Sequence, residues 1–349
     1  MHLILLFLIP AMSVFVITPT YAQDPNDTIS YEEKLPREVK EDDHAFWTVT
    51  MENDLFGSGS DKYYTNGIRL SYFNRASKNK DVKEFIDQYI PYVSPDDTTS
   101  VYYSIGQNLY TPKDITKTTF TPNDRPYAGF LYGSVGLSTI KGDHIDEFEV
   151  SLGVVGPAAL GKQTQKLVHK LVNSPDPKGW DHQLENEPGL ILSYQRVWPE
   201  AWAYDELQPF YFRLMPHAGV SLGNIYTHAS FGGTLQITPL TNAWQNPPLR
   251  IRPAIPGDSF FGTPDGAFTW SFFLGAEERI VGRNIFLDGN TFENSPSVDK
   301  NYLVTDLNAG VTTGYGDVQL AYTLNWRSKE FKTQDEAALF GAVSLSIRY

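Results

Sequence analysis

Leu339-Phe340-Gly341-Ala342-Val343-Ser344-Leu345-Ser346-Ile347-Arg348-Tyr349 closes the chain. Val343, Leu345, Ile347 and Tyr349 fall on one face, and Ala342, Ser344, Ser346 and Arg348 on the other. This is a period-two strand that ends on an aromatic residue. A sheet that closes on itself needs such a strand, because its last member must pair with its first and leave no edge. A bacterial outer-membrane barrel is built that way.

The opposite end of the sequence agrees. Leu3 to Ile17 is an apolar run broken by Pro10, and Thr20-Tyr21-Ala22 resembles a cleavage site before Gln23. The expectation is a signal peptide over residues 1–22, although the segment before the run carries only His2 and no Lys or Arg. A single membrane helix is the alternative, and the run is short and interrupted for that. A polar leader over 23–44 and a barrel domain over 45–349 follow. The 20 Tyr, 21 Phe and 7 Trp suit a barrel with aromatic girdles at two interfaces. Cysteine is absent, so the sheet and core alone must hold the fold. The net charge of -13 argues against nucleic acid as a partner. It fits acidic loops or cation sites, and ordinary acidic solubility equally well.

Alternating segments recur upstream of the last strand. They are Phe46–Met51, Tyr64–Phe73, Val101–Tyr110, Tyr127–Ser138, Phe148–Val155, Leu190–Trp198, Phe210–Leu222, Tyr226–Thr238, Phe268–Ile280, Asn284–Asp288, Tyr302–Thr312 and Val318–Trp326. In the second, Tyr64, Ile68, Leu70 and Tyr72 oppose Thr65, Gly67, Arg69 and Ser71. In the fifth, Phe148, Val150, Leu152 and Val154 oppose Glu149, Ser151 and Gly153. Arginine and glutamate are cheap on such a face only if it lines a polar lumen. Barrels of this kind favour even strand numbers, and twelve are expected. Gly314-Tyr315-Gly316-Asp317 predicts a short turn, and the Pro- and Gly-rich Asn242–Asp265 a long extracellular loop. The fold class is therefore all-β, a twelve-stranded antiparallel transmembrane β-barrel. One segment breaks the pattern: Leu160 to Val172 places Leu160, Thr164, Leu167, Val168 and Leu171 at helical spacing. It predicts a short helix packed at the extracellular rim.

Four places could carry chemistry. Gln165 and His169, four apart, share a face of that helix, as a general base and a hydrogen-bonding neighbour would. From spacing alone a surface histidine on a loop helix is the plainer reading. Glu52-Asn53-Asp54 offers three oxygen-bearing side chains to a hard cation such as Ca²⁺, or is an ordinary polar turn. Lys113, Lys117 and Arg125 could hold phosphate, or be loop charges. Gly219-Val220-Ser221-Leu222-Gly223 matches a nucleophile elbow literally, but no helix follows it.

The ordered set of blocks resembles the outer-membrane lipid A 3′-O-deacylase family. It comprises Glu52-Asn53-Asp54, Tyr64-Thr65-Asn66-Gly67, Gly106 to Pro112, Asp124-Arg125-Pro126-Tyr127-Ala128-Gly129, and Gly156-Pro157 with Gln165 and His169. Gly179-Trp180, Gln183-Leu184 and Glu187-Pro188 complete it. The resemblance implies a Ca²⁺-dependent hydrolase that removes an ester-linked acyl chain from lipid A of lipopolysaccharide. It implies His169 as catalytic base, Gln165 as its neighbour, Asn53, Asp54 and Thr65 around calcium, and Lys117 as an active-site lysine. The chain is then expected in the bacterial outer membrane, as a monomer. Alternation independently places the Thr65 hydroxyl on the lumen face. The rival readings are an outer-membrane phospholipase with a Ser–His pair, for which Ser71 and Ser104 are candidates, and a porin-like or adhesive barrel without enzymatic activity.

Overall fold

A computed structural model describes residues 45–57, 63–75, 99–172, 174–199, 201–204, 210–239 and 268–349, with Glu84, Gln88 and Leu207 between them. The expected signal peptide and polar leader lie outside the described residues. The strands are β1 (Phe46–Asn53), β2 (Tyr63–Arg75), β3 (Ser100–Thr111), β4 (Ala128–Lys141), β5 (His144–Val155), β6 (Glu187–Val197), β7 (Trp202–Tyr204), β8 (Phe210–Gly223), β9 (Tyr226–Pro239), β10 (Phe268–Asn284), β11 (Leu303–Tyr315), β12 (Val318–Arg327) and β13 (Ala338–Arg348). All the pairings are antiparallel between sequential neighbours, except that β6 pairs with β8 and β1 closes on β13. β7 covers three residues of β8 beside the β6 pairing and stays outside the ring. The barrel therefore has twelve strands, as expected from the sequence.

Closure sets Trp47 opposite Ile347 and Val49 opposite Leu345 on the outer face. On the inner face Thr48 bonds Ser346 at 2.8 Å and Thr50 bonds Ser344 at 2.9 Å. The same division runs round the wall. Ile105 and Leu152 are 57% and 61% exposed, facing outward, whereas Arg69 and Glu149 are buried inside and paired at 2.8 Å. Trp47, Tyr72 and Tyr103 form a transverse row across β1, β2 and β3, with the first two rings 4.9 Å apart. That is one arc of an aromatic girdle.

Two helices stand at one end: α1 (Gly161–Val172) between β5 and β6, and α2 (Ile285–Asp288) after β10. The sequence suggested a strand over Asn284–Asp288. Instead Asn284 ends β10 and its side chain accepts from the Phe286 amide, which caps a single helical turn. That turn drops Phe286 into the lumen, where its ring stacks on Tyr110 at 4.0 Å. Tyr110 in turn bonds Tyr226 across the barrel, hydroxyl to hydroxyl, at 2.8 Å. Beside them Asp306 pairs with Arg279 at 2.6 Å and Arg327 at 2.9 Å, and Glu330 meets Arg125 at 3.3 Å. The lumen is filled at this end.

With an even strand number, both chain ends of the barrel fall at the other rim, beside the two-residue turns Gly142–Asp143 and Gly316–Asp317. A barrel inserted from the periplasm keeps its termini there, so the helices mark the extracellular rim. The segment Asn242–Asp265 lies outside the described residues.

Candidate active site

The site is built on the outer surface of the wall. On β1 the outward residues Trp47, Val49 and Met51 lead up to Asn53, and on β2 the outward Ile68 is preceded by Asn66. Asn53 pairs with Asn66, Asn66 with Leu109, and Leu109 with Gly129. One transverse row thus crosses β1 to β4 near the extracellular rim, on the lipid-facing side. Unlike the apolar residues below them, Asn53, Asn66 and Leu109 are buried.

Their cover at β3 and β4 is the segment after β5. Gln107 donates from Nε2 to the Ala159 carbonyl at 2.6 Å. Gly129 has no Cβ, and one placed there would stand 3.3 Å from Ala159 Cβ and from the Gly161 backbone. α1 therefore rests on the wall through Gly161, followed on the same stripe by Gln165 and His169, which are 1% and 3% exposed. Leu167 and Leu171, at 61% and 77%, face away. The helix was read correctly from its spacing, but its polar stripe is the buried one.

Each buried polar side chain of α1 is oriented by a neighbour. Trp180 is fully buried and donates from its indole Nε1 to Gln165 Oε1 at 2.6 Å. An indole nitrogen only donates, which assigns the Gln165 amide and leaves Nε2 with no acceptor among the described residues. His169 Nδ1 lies against the Pro175 carbonyl at 2.5 Å. A carbonyl only accepts, so Nδ1 carries a hydrogen. Lys162 bonds Asp181 at 2.7 Å, and this ammonium holds the Asp181 carboxyl below its usual range.

Asp54 follows Asn53 into a one-turn 3-10 helix and is buried with it. Thr65 is the extra residue of a bulge: Tyr64 pairs with Tyr110 and Asn66 with Leu109. The alternation that placed its hydroxyl in the lumen does not run through a bulge, and its side chain lies outside those described. Lys117 sits in the β3–β4 loop, half exposed, 3.9 Å from Asp114. The Asp114 carboxyl is held low mainly by the Thr116 hydroxyl and amide, with a smaller part from Lys117. That loop is fastened to the segment after α1 by Lys178, whose amide donates to the Ile115 carbonyl at 2.8 Å. Lys113 pairs with Asp335, and Arg125 is buried against Glu330 with its guanidinium over the Tyr110 ring. Arg125 therefore belongs to the lumen plug and not to a phosphate site.

The family model of outer membrane protein LpxR matches residues 6–349. The chain belongs to the outer membrane protein LpxR family. This is the lipid A 3′-O-deacylase family to which the ordered motifs pointed, and it places the chain in the bacterial outer membrane. LpxR from Salmonella typhimurium superposes with a TM-score of 0.71 at 20% identity, over 86% of this chain and 99% of that one. The β domain of the Bordetella autotransporter BrkA gives a TM-score of 0.41 at 10% identity, over 88% and 98%. No curated protein sequence matches the chain.

Within this LpxR-family barrel the serines of the phospholipase reading are misplaced. Ser104 accepts from Arg69 at 2.9 Å and bonds Ser71 at 3.1 Å, both on the lumen face, while His169 lies outside the wall. Ser221 of the elbow-like motif is an interior position of β8, bonded to Ser193 at 2.9 Å. Sequence reasoning gave no role to Trp180, Gln107 or Asn66. For Gln107 and Asn66 a signal existed: each is a polar residue on the lipid-facing register of its strand.

Proposed function

We propose that this protein hydrolyses the ester bond of a 3′-O-linked acyl chain of lipid A, in the outer leaflet, with His169 as general base. The observation that carries the reading is the position of the polar row. Asn53 and Asn66 sit on the outward face directly above Met51 and Ile68, which are exposed and apolar. An ester at the level of Asn53 would leave its acyl chain against Met51, Ile68 and Ile105, with no need to enter the barrel.

In this reading Nε2 of neutral His169 takes a proton from water as its oxygen attacks the ester carbonyl carbon. The carbon–oxygen bond to the sugar then breaks, and the proton passes to the departing alkoxide, giving a free fatty acid. Nε2 of Gln165, fixed by Trp180, is a donor for the carbonyl or water oxygen. Lys117 binds a phosphate of the substrate or orients the ester.

Calcium is implied by the family resemblance, and the residues fit a hard cation. Asn53 and Asp54 are adjacent, buried oxygen donors, and Thr65 stands at the bulge beside Asn66. Among the described residues no group of three or more His, Cys, Asp or Glu is placed to hold a metal ion, so amide, hydroxyl, main-chain and water oxygens would complete the shell. Bound there, Ca²⁺ would polarise the carbonyl and offset negative charge on its oxygen. The closed ring leaves no free edge, in keeping with a monomer.

The test is mass analysis of lipid A after incubation with the folded protein, with Ca²⁺ or with a chelator. Calcium-dependent loss of one ester-linked acyl unit is expected. Intact lipid A under both conditions overturns the reading, and products from glycerophospholipid instead would favour the phospholipase alternative.

A further inference from the structure

The outer side of α1 carries a pattern that the proposed chemistry does not use. At 100° per residue, positions four apart form stripes along a helix. Gly161, Gln165 and His169 form the buried stripe. Lys162, Lys166 and Lys170 form the next, and Leu167 and Leu171 the one after it. Lys162 is tied to Asp181. Lys166 and Lys170 are exposed, and the charge of Lys166 also acts on the Asp181 carboxyl. The helix stands on the outward face of the wall, through Leu109 and Gly129. Ile105, exposed to lipid, is four residues below Leu109 on the same strand, about 13 Å at the usual rise.

From this continuity we infer that α1 is an interfacial helix docked on the lipid A leaflet itself. Leu167 and Leu171 are immersed in the acyl layer, and Lys166 and Lys170 bind phosphates at the headgroup level. The occupant is committed by two observations. The apolar stripe extends the lipid-facing wall, which fixes a bilayer as its surroundings. The adjoining lysine stripe suits anionic groups at the acyl–headgroup boundary, the arrangement of amphipathic helices that lie in an interface. Naming lipid A as the phosphate carrier rests on the proposed function; the immersion of the leucines does not. The consequence is that the wall of the site is itself held by lipid. The face of α1 that carries His169 would then lie beside the same layer in which the substrate lies.

The chain has no cysteine, so single fluorophores can be placed without background. Leu171→Cys, Ile105→Cys and Asp143→Cys variants carry an environment-sensitive dye and are folded into phosphatidylcholine vesicles. Spin labels on the acyl chains then quench by depth. The dye at 171 is expected to be quenched like that at 105. Quenching as weak as at 143, in the far turn, overturns the immersion. Spin-labelled lipid A is then titrated into vesicles holding the 171-labelled protein. The Lys166→Glu/Lys170→Glu pair should raise the half-quenching fraction by about tenfold or more, at roughly 1 kcal/mol per basic residue. Lipid A stripped of phosphate should quench both proteins alike. An unshifted midpoint with intact lipid A, or an equal shift with the stripped lipid, overturns phosphate binding. Neither readout needs turnover, so a protein that passes both yet leaves lipid A intact refutes the deacylase reading and not this one.

Discussion

Trp180 holds Gln165 from outside α1: its indole Nε1 donates to Gln165 Oε1 at 2.6 Å, and both side chains are buried. The contact decides which end of the amide faces the remaining space of the site. Trp180 is itself fixed by Tyr127, 5.0 Å away ring to ring, and by Gly161, where a Cβ would stand 2.5 Å from the indole. Trp180→Phe preserves most of the packing and removes the donor. The buried Oε1 is then unsatisfied, a cost of about 1–3 kcal/mol. The amide can also turn over. The expected result is a fall in kcat of about tenfold, equivalent to ~1.4 kcal/mol, with KM little changed. Steady-state assays on lipid A micelles decide it. An unchanged kcat would remove the positioning role of Trp180.

His169→Ala should abolish hydrolysis while the heat-modifiable migration of the folded barrel persists, because His169 stands on a helix outside the ring and no strand pairing depends on it. In the wild type the base must be the neutral imidazole with its hydrogen on Nδ1 toward Pro175. Normal turnover by the alanine variant would exclude His169 as the base.

The barrel was legible because period-two alternation is a local property, and a lumen full of Arg, Glu, Ser and Thr opposite an apolar wall prints it strongly in each strand. The terminal strand is the plainest example, with Ser344 and Ser346 inside and Leu345 and Ile347 outside. Two failures share a cause. Asn284–Asp288 alternates in sequence but is ended by its own cap. Arg125 looks like a loop cation until Glu330, 205 residues later, draws it into the lumen. Each depends on a partner or a register that no local pattern contains. The site follows the same division. Gln165 and His169 could be paired from helical spacing, and the family motifs supplied the rest. Trp180 could not be linked to Gln165 without the fold. The burial of the polar stripe of α1 required knowing that the helix lies outside the wall.

Chelation should silence the wild-type protein and added Ca²⁺ should restore it. Asp54→Asn keeps the shape and one oxygen donor but removes the charge that a hard cation prefers. It should raise the Ca²⁺ concentration for half-maximal activity by about tenfold or more, with recovery at saturating metal; a tenfold change corresponds to ~1.4 kcal/mol of binding. Calcium titration of activity measures it. Activity indifferent to chelation would remove the metal from the mechanism.

Gly129 is the close approach of β4 to the segment that carries α1. A Cβ there already reaches 3.3 Å from Ala159 and Gly161, so a larger side chain must lift the helix start off the wall. Gly129→Leu should leave the barrel folded, since the position faces outward, and reduce turnover by about a hundredfold or more if α1 is displaced by an ångström or so. Retained activity would mean that α1 need not rest on Gly129 for catalysis.

Glu330 offers a test of the lumen plug that is independent of the chemistry. It follows β12 in a loop and is buried. Burial alone would raise its carboxyl, but Arg327, Arg125 and Arg279 outweigh that and hold it below the usual glutamate range. A carboxyl lowered in the folded state stabilises the fold fully above its unfolded value, about 4.3, and this contribution is lost as pH falls through the lower folded value. Acidification from pH 7 toward 3 should therefore lower the temperature at which the barrel loses its heat-modifiable form in detergent, with Glu330 contributing at the acid end. Glu330→Gln removes the charge but not the volume. It leaves Arg125 and Arg327 with less compensation in a buried setting, where a broken pair costs about 3–5 kcal/mol. The variant should unfold at lower temperature at pH 7 and show a shallower loss of stability on acidification, so that the two curves converge toward pH 3. Parallel curves over the whole range would show that the Glu330 charge does not couple to folding.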